Sequence, residues 1–178
     1  MALARSNRII DGERGHVPAK AVGNFILDWF EERHLCITQL SLQKIIYFCH
    51  VWHLVKNDKP LVRESFQAWR LGPVIPTIYN ELKCNNDQPI NDRLKSLSPK
   101  SGKQEKVQHR WTPDEQDLLE SVLGSYGKLT ASQLVSISHE KDGPWDRAYE
   151  SDSRDPIGAR ILNSDIHGFY TQKIRNST

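Results

Sequence analysis

SLQKIIYFCHVWHLVKNDKPLVRESFQAWRLGPVIPTIYNELK, residues 41–83, opens as a helix and closes as a strand, a turn and a second helix. Leu42, Ile45, Ile46, Cys49 and Trp52 recur at helical spacing and form one apolar stripe. Tyr47, Phe48, Val51, Leu54 and Val55 fill much of the remaining circumference. A helix apolar nearly all round has to lie inside the molecule, so this one is expected at its centre. Thr38 is placed to cap its start, and the polar run Lys56–Asn57–Asp58 ends it. Beyond Pro60, FQAWR (Phe66 to Arg70) alternates, with Phe66, Ala68 and Arg70 on one face and Gln67 and Trp69 on the other, which predicts a brief strand. Gly72–Pro73 is expected to break it. Pro76 suits the first turn of a helix, where its missing N–H would be unpaired in any case, and Ile78, Tyr79 and Leu82 give that helix a narrow apolar side.

Upstream of this stretch, residues 1–16 are charged, glycine-containing and aperiodic, and read as a flexible arm. Pro18 then opens an amphipathic helix, with Val22, Phe25, Ile26, Trp29 and Phe30 on one stripe and Lys20, Asn24, Asp28 and Glu31 opposite. Downstream, residues 85–105 are rich in Asn, Asp, Ser, Lys and Pro and read as a mobile surface loop. KVQHRW (Lys106 to Trp111) alternates and offers a partner strand for FQAWR. Thr112-Pro113-Asp114-Glu115 predicts a helix start: Thr112 caps, Pro113 takes the first helical position and Glu115 closes a capping box. Leu118, Leu119, Val122, Leu123 and Tyr126 mark its buried side. Thr130 with Gln133 repeats the device before Leu134, Val135 and Ile137. Gly143–Pro144 ends that run, Asp155–Pro156 begins a short element, and Ile166, Phe169, Tyr170 and Ile174 supply a last amphipathic helix. The sum is a mainly α (α+β) protein. One compact domain, residues 17–178, is expected to hold about six to eight helices around a buried central helix, with one small β-hairpin.

The chain has 178 residues, enough to bury a core without disulfides or metals. Its 24 basic and 22 acidic side chains leave a net charge of +2. A duplex-DNA reader shows a larger basic excess or a basic stripe, so nucleic acid is not favoured as a partner. Cys36, Cys49 and Cys84 are odd in number and share no C-x-x-C spacing, which suggests reduced thiols rather than a disulfide framework or a zinc knuckle. The polar N-terminus lacks the apolar core of a signal peptide, and no stretch is apolar and long enough to span a membrane. A cytoplasmic location without membrane contact is expected.

The side chains that could carry chemistry have plainer readings. Cys49, His50 and His53 lie within about one helical turn, but no carboxylate at matching spacing joins them as in helical H-E-x-x-H zinc sites. Cys49 sits in the most apolar helix, where a thiol stays protonated and inert. No G-x-S-x-G elbow, phosphate-cradling glycine loop or paired-carboxylate pattern occurs. No catalytic residue, cofactor or metal is expected. The helices 113–126 and 130–139 could be drawn as a helix-turn-helix, yet the second offers only Gln133 near its start to base edges. Two helices packed on a core is the simpler reading.

Fifteen residues of the quoted stretch fall in a distinctive order: Leu42, Gln43, Lys44, Tyr47, Pro60, Leu61, Phe66, Ala68, Trp69, Arg70, Gly72, Pro73, Val74, Pro76 and Tyr79. SISHEKDGPWDRAY adds Ser138, His139, Pro144, Trp145 and Ala148, and NSDIHGFYTQ closes the set. In these residues, over about 18–174, the chain resembles the Panacea domain of SocA-like and GepA-like antitoxins. The resemblance implies a binding protein, not an enzyme, that neutralises a cognate protein toxin encoded by an adjacent gene. The SocA case adds a second implied role, as an adaptor that hands the toxin to a protease. An unrecognised enzyme or a DNA-binding regulator is the remaining alternative. Lys44, Tyr47, Trp69, Arg70, Gly72, Pro73, Tyr79, His139 and Trp145 are the motif residues expected to define the fold or to touch the partner. Large amphipathic rings such as Trp69 and Tyr79 suit a core and an interface hot spot equally.

Overall fold

A computed structural model describes residues 15–151 and 158–177, the side chains of 150 and 151 excepted. The helix expected at the centre is there. Two helices come first, the amphipathic α1 (Ala19–Glu32) and the central α2 (Gln39–Asn57), and every residue of α2 from Leu42 to Val51 is buried. Thr38 Oγ1 accepts from the Ser41 amide at 3.4 Å, and Asp58 closes the helix in the left-handed region at φ 53°. The chain continues through β1 (Gln67–Trp69), β2 (Gly72–Val74), α3 (Pro76–Leu82), a 3-10 turn (Lys83–Asn85), β3 (Lys95–Leu97) and β4 (Gln104–Lys106). It ends in α4 (Pro113–Tyr126), α5 (Ala131–Ser138), α6 (Pro144–Ser151) and α7 (Asn163–Ser177). None of the described helices is long and apolar enough to cross a membrane.

Helices α1, α4, α5 and α7 and strand β2 all pack on α2, which explains why it needs apolar residues on every side. Phe48 stacks on Tyr126 at 4.3 Å, and the Tyr126 hydroxyl accepts from Trp52 Nε1 at 3.0 Å. The Tyr126 ring thus covers Phe48 while its hydroxyl pairs with the Trp52 indole N–H. Both expected capping boxes are formed, Thr112 with Glu115 and Thr130 with Gln133.

The hairpin differs from expectation in its partner. β1 pairs antiparallel with β2, Gln67 opposite Val74 and Trp69 opposite Gly72, and not with residues 106–111. Gly72 takes φ 101°, so the chain reverses directly after Arg70–Leu71, and a local return costs far less closure entropy than a distant strand. Pro73 is tolerated because it faces Ala68, whose amide points away to Ala159 O at 2.8 Å. Ile161 N donates to Phe66 O at 2.9 Å, so residues 159–161 occupy the far edge of β1. Gly72–Pro73 therefore starts a strand rather than ending one.

A second hairpin, β3 with β4, lies in the stretch expected as loop 85–105. Asn24 fastens it to α1: its Nδ2 donates to Leu94 O at 2.8 Å and Val107 O at 2.9 Å, while its Oδ1 accepts from Leu94 N at 2.8 Å. Ile90 and Leu94 are buried beneath. Residues 1–14 of the expected arm, and the element expected at Asp155–Pro156, lie outside the described residues. The last two arm residues, Gly15 and His16, lie against the body: a Cβ on Gly15 would fall 2.3 Å from Leu61 O.

Candidate functional site

The leucine–Gln–Lys run of α2 grips the hairpin. Gln43 Oε1 accepts from the Ile75 amide at 2.9 Å and its Nε2 donates to Ile75 O at 3.2 Å, a side-chain copy of a strand pair. Lys44, on the next position, is wholly buried and donates from Nζ to Pro73 O at 2.9 Å. Among the described residues no carboxylate neutralises it, and burial lowers its amine to about 7. Gly72 lies on this side chain: a Cβ there would fall 2.7 Å from both Lys44 Cε and Ser138 Oγ. The glycine is thus required twice, for its φ and for the space.

His139 and Trp145 close the cluster from the other side. The Trp145 indole donates to Trp69 O at 2.8 Å, and its ring lies 3.6 Å from that of His139. Burial, then the neighbouring Lys44, holds the His139 imidazole below its usual value, and its buried Nε2 has no hydrogen-bond partner among the described residues. Six expected residues therefore meet in one knot: Lys44, Trp69, Gly72, Pro73, His139 and Trp145. Tyr47 stands apart in the core, its ring edge-on to Phe66 at 5.2 Å and its hydroxyl beside that of Tyr170, and burial pushes both phenols up.

Arg70 and Tyr79 reach the surface. Trp69 and Tyr79 meet edge-to-face at 4.7 Å, and a Cβ on Gly158 would strike the Trp69 indole, so that ring is backed by main chain. Beside them Leu71 is 52% exposed at the hairpin tip and Tyr79 36% exposed. With Leu40 and Val74 these side chains line a surface groove of about 360 Å³, and Arg70, Lys83 and Asp87 supply its charge. A second, larger groove of about 630 Å³ runs over Trp52, Val55, Leu118, Val122, Leu129 and Ile137. No residue expected as a site residue lines it.

The helical Cys–His trio is dispersed onto separate partners. Cys49 is buried and its thiol pushed well up. His50, neutral with its imidazole lowered to about 4 by burial, bonds Asn163 Oδ1 at 3.0 Å and accepts from the Val62 amide at 3.3 Å. His53 Nδ1 donates to Lys59 O at 2.8 Å. Gln133 Oε1 accepts from the Thr130 amide at 2.9 Å and hydroxyl at 3.0 Å, so the side chain that could read base edges is drawn onto the helix cap. One cluster escaped the sequence reading altogether: the ligand atoms of His16, His109 and Glu115 all lie within 4.8 Å of one another. Their positions share no local spacing, so only folding reveals them.

Comparison with known proteins gives the family. The profile described as "Antitoxin SocA-like, Panacea domain" matches residues 42–146. Antitoxin SocA of Caulobacter vibrioides (strain NA1000 / CB15N) is 38% identical over 130 residues, which are 73% of this chain and 69% of that protein. No solved structure matches significantly.

Proposed function

The chain belongs to the SocA-like, Panacea-domain antitoxin family, and from that premise we propose that it neutralises a cognate protein toxin by direct, non-catalytic binding. The observation that carries this reading is the division of the family motif between interior and surface. Gln43 and Lys44 lock Ile75 and Pro73 to the central helix and Trp145 ties Trp69 to α6, while the motif residues Arg70 and Tyr79 stand exposed beside Leu71 at the hairpin tip. A braced platform that presents an aromatic ring, an aliphatic tip and an arginine has the composition of a binding hot spot, and its backbone needs no ordering on docking. The groove at Trp69–Tyr79 is the surface we assign to the toxin.

The test is co-expression with the product of the adjacent gene, scored by growth and by co-purification. Leu71→Asp and Tyr79→Ala are each expected to weaken the complex at least about tenfold, and Leu71→Asp, at the exposed tip, to leave the melting temperature of the free protein unchanged. Leu118→Asp, in the larger groove, is expected to leave affinity intact. The reverse pattern would move the toxin to that groove, and absence of any complex would defeat the proposal. The toxin's level, followed in the same cells, separates two modes of action. A constant level with restored growth indicates sequestration, whereas its disappearance indicates delivery to a protease.

A further inference from the structure

We propose that His16, His109 and Glu115 form a site for a divalent transition-metal ion of the zinc type, which staples three distant segments of the chain together. Two imidazole nitrogens and one carboxylate oxygen are the donors such an ion takes, whereas magnesium and calcium prefer all-oxygen shells. The donor atoms already lie within 4.8 Å of one another. Tetrahedral zinc with ligands at about 2.0–2.2 Å would hold them roughly 3.3 Å apart, so small side-chain rotations suffice.

Each ligand is held in advance by its own segment. His16 precedes Val17, which pairs with residues 61–63 through Val17 N to Leu61 O at 3.1 Å and Arg63 N to Val17 O at 3.0 Å. Arg63 Nε also donates to His16 O at 3.1 Å. Glu115 is oriented by its capping box: Oε2 accepts from the Thr112 amide at 2.9 Å and hydroxyl at 3.0 Å, and Oε1 faces His16 Nε2 at 2.6 Å. The carboxylate is only 11% exposed. Hydrogen bonds that fix a ligating carboxylate from behind are the usual support of a metal site. His109 Nε2 lies 3.9 Å from Glu115 Oε2, and its ring packs edge-on to Trp111 at 4.7 Å. His53 stands beside the group, its ring centroid 6.2 Å from that of His16, with Nδ1 engaged by Lys59 O. The fourth coordination position is left to water.

The site shares no residue with the groove assigned to the toxin, so it stands or falls separately. Untagged full-length protein is titrated with zinc alone by calorimetry, and its melting followed with zinc and with magnesium. About one equivalent is expected to bind at micromolar concentration, and zinc but not magnesium to raise the melting temperature. His16→Ala/His109→Ala is expected to abolish both effects, and Cys36→Ser/Cys84→Ser to retain them. Cobalt bound to the wild type is expected to show visible ligand-field bands without a thiolate charge-transfer band, a readout independent of any variant. No zinc binding, binding that survives loss of both histidines, or a thiolate band would overturn the proposal.

Discussion

Lys44 is a buried ammonium with one carbonyl partner, and such a group is costly to keep charged. Its value of about 7 in the fold lies below the 10.5 of an ordinary lysine, so unfolding takes up a proton between those limits. Stability therefore rises with pH across that window and is depressed below it. Lys44→Met keeps the length of the side chain and removes the titration. Between pH 7.5 and 9.5 the wild type is expected to gain on the order of 2 kcal/mol over the variant, read from denaturant midpoints at each pH. Parallel midpoints at the two pH values would refute this. The sequence marks Lys44, Gly72 and Trp145 by their order in a family pattern, but order does not say who touches whom. Lys44 meets Pro73 across 29 positions and Trp145 meets Trp69 across 76, contacts created only when the hairpin lands on α2.

At the scale of elements, legibility followed the strength of the local signal. Helix α2 and the two capping boxes were readable because periodicity and capping chemistry act within a few residues. Strand β2 was not, because Gly-Pro is the pattern of a chain break unless a turn at positive φ follows β1 immediately. The second hairpin was hidden for another reason: β3 and β4 are exposed along their whole length, so no alternation betrays them. That hairpin depends on a buried side chain, Asn24. Asn24→Ala removes three hydrogen bonds and strands the Leu94 amide, an expected loss of about 2 kcal/mol. Hydrogen exchange is expected to quicken over residues 94–107 while α2 stays protected. An unchanged exchange pattern there would show that β3–β4 holds without the latch. The metal-type cluster lies at this scale too, since it needs a strap, a loop and a helix start to converge on Glu115.

For the molecule as a whole, one neutral imidazole ties the central helix both to the segment after Pro60 and to α7. His50 accepts from the Val62 amide, next to the residues that pair with Val17, and bonds Asn163 at the start of α7, with only 1% of its surface exposed. Its value in the fold, about 4, lies below the 6.5 of a free histidine, so the unfolded chain binds the extra proton first. The contribution is whole above pH 6.5 and is lost as pH falls toward 4. His53 and His139, both lowered chiefly by burial, act with the same sign. Asp28 and Glu115 are also lowered, but carboxylates pass through their unfolded values only near about pH 4, so the window between 6.5 and 5 belongs to the histidines. Lowering the pH from 7 to 5 is expected to cost on the order of 2 kcal/mol through His50 alone. Because α7 and the segment at Val62 both bond that ring, helical and tryptophan signals should decay in one transition. Denaturation curves by circular dichroism and fluorescence test both points. A flat stability between pH 7 and 5 would mean that His50 is reached by solvent without unfolding, and separate transitions would mean that α7 detaches by itself.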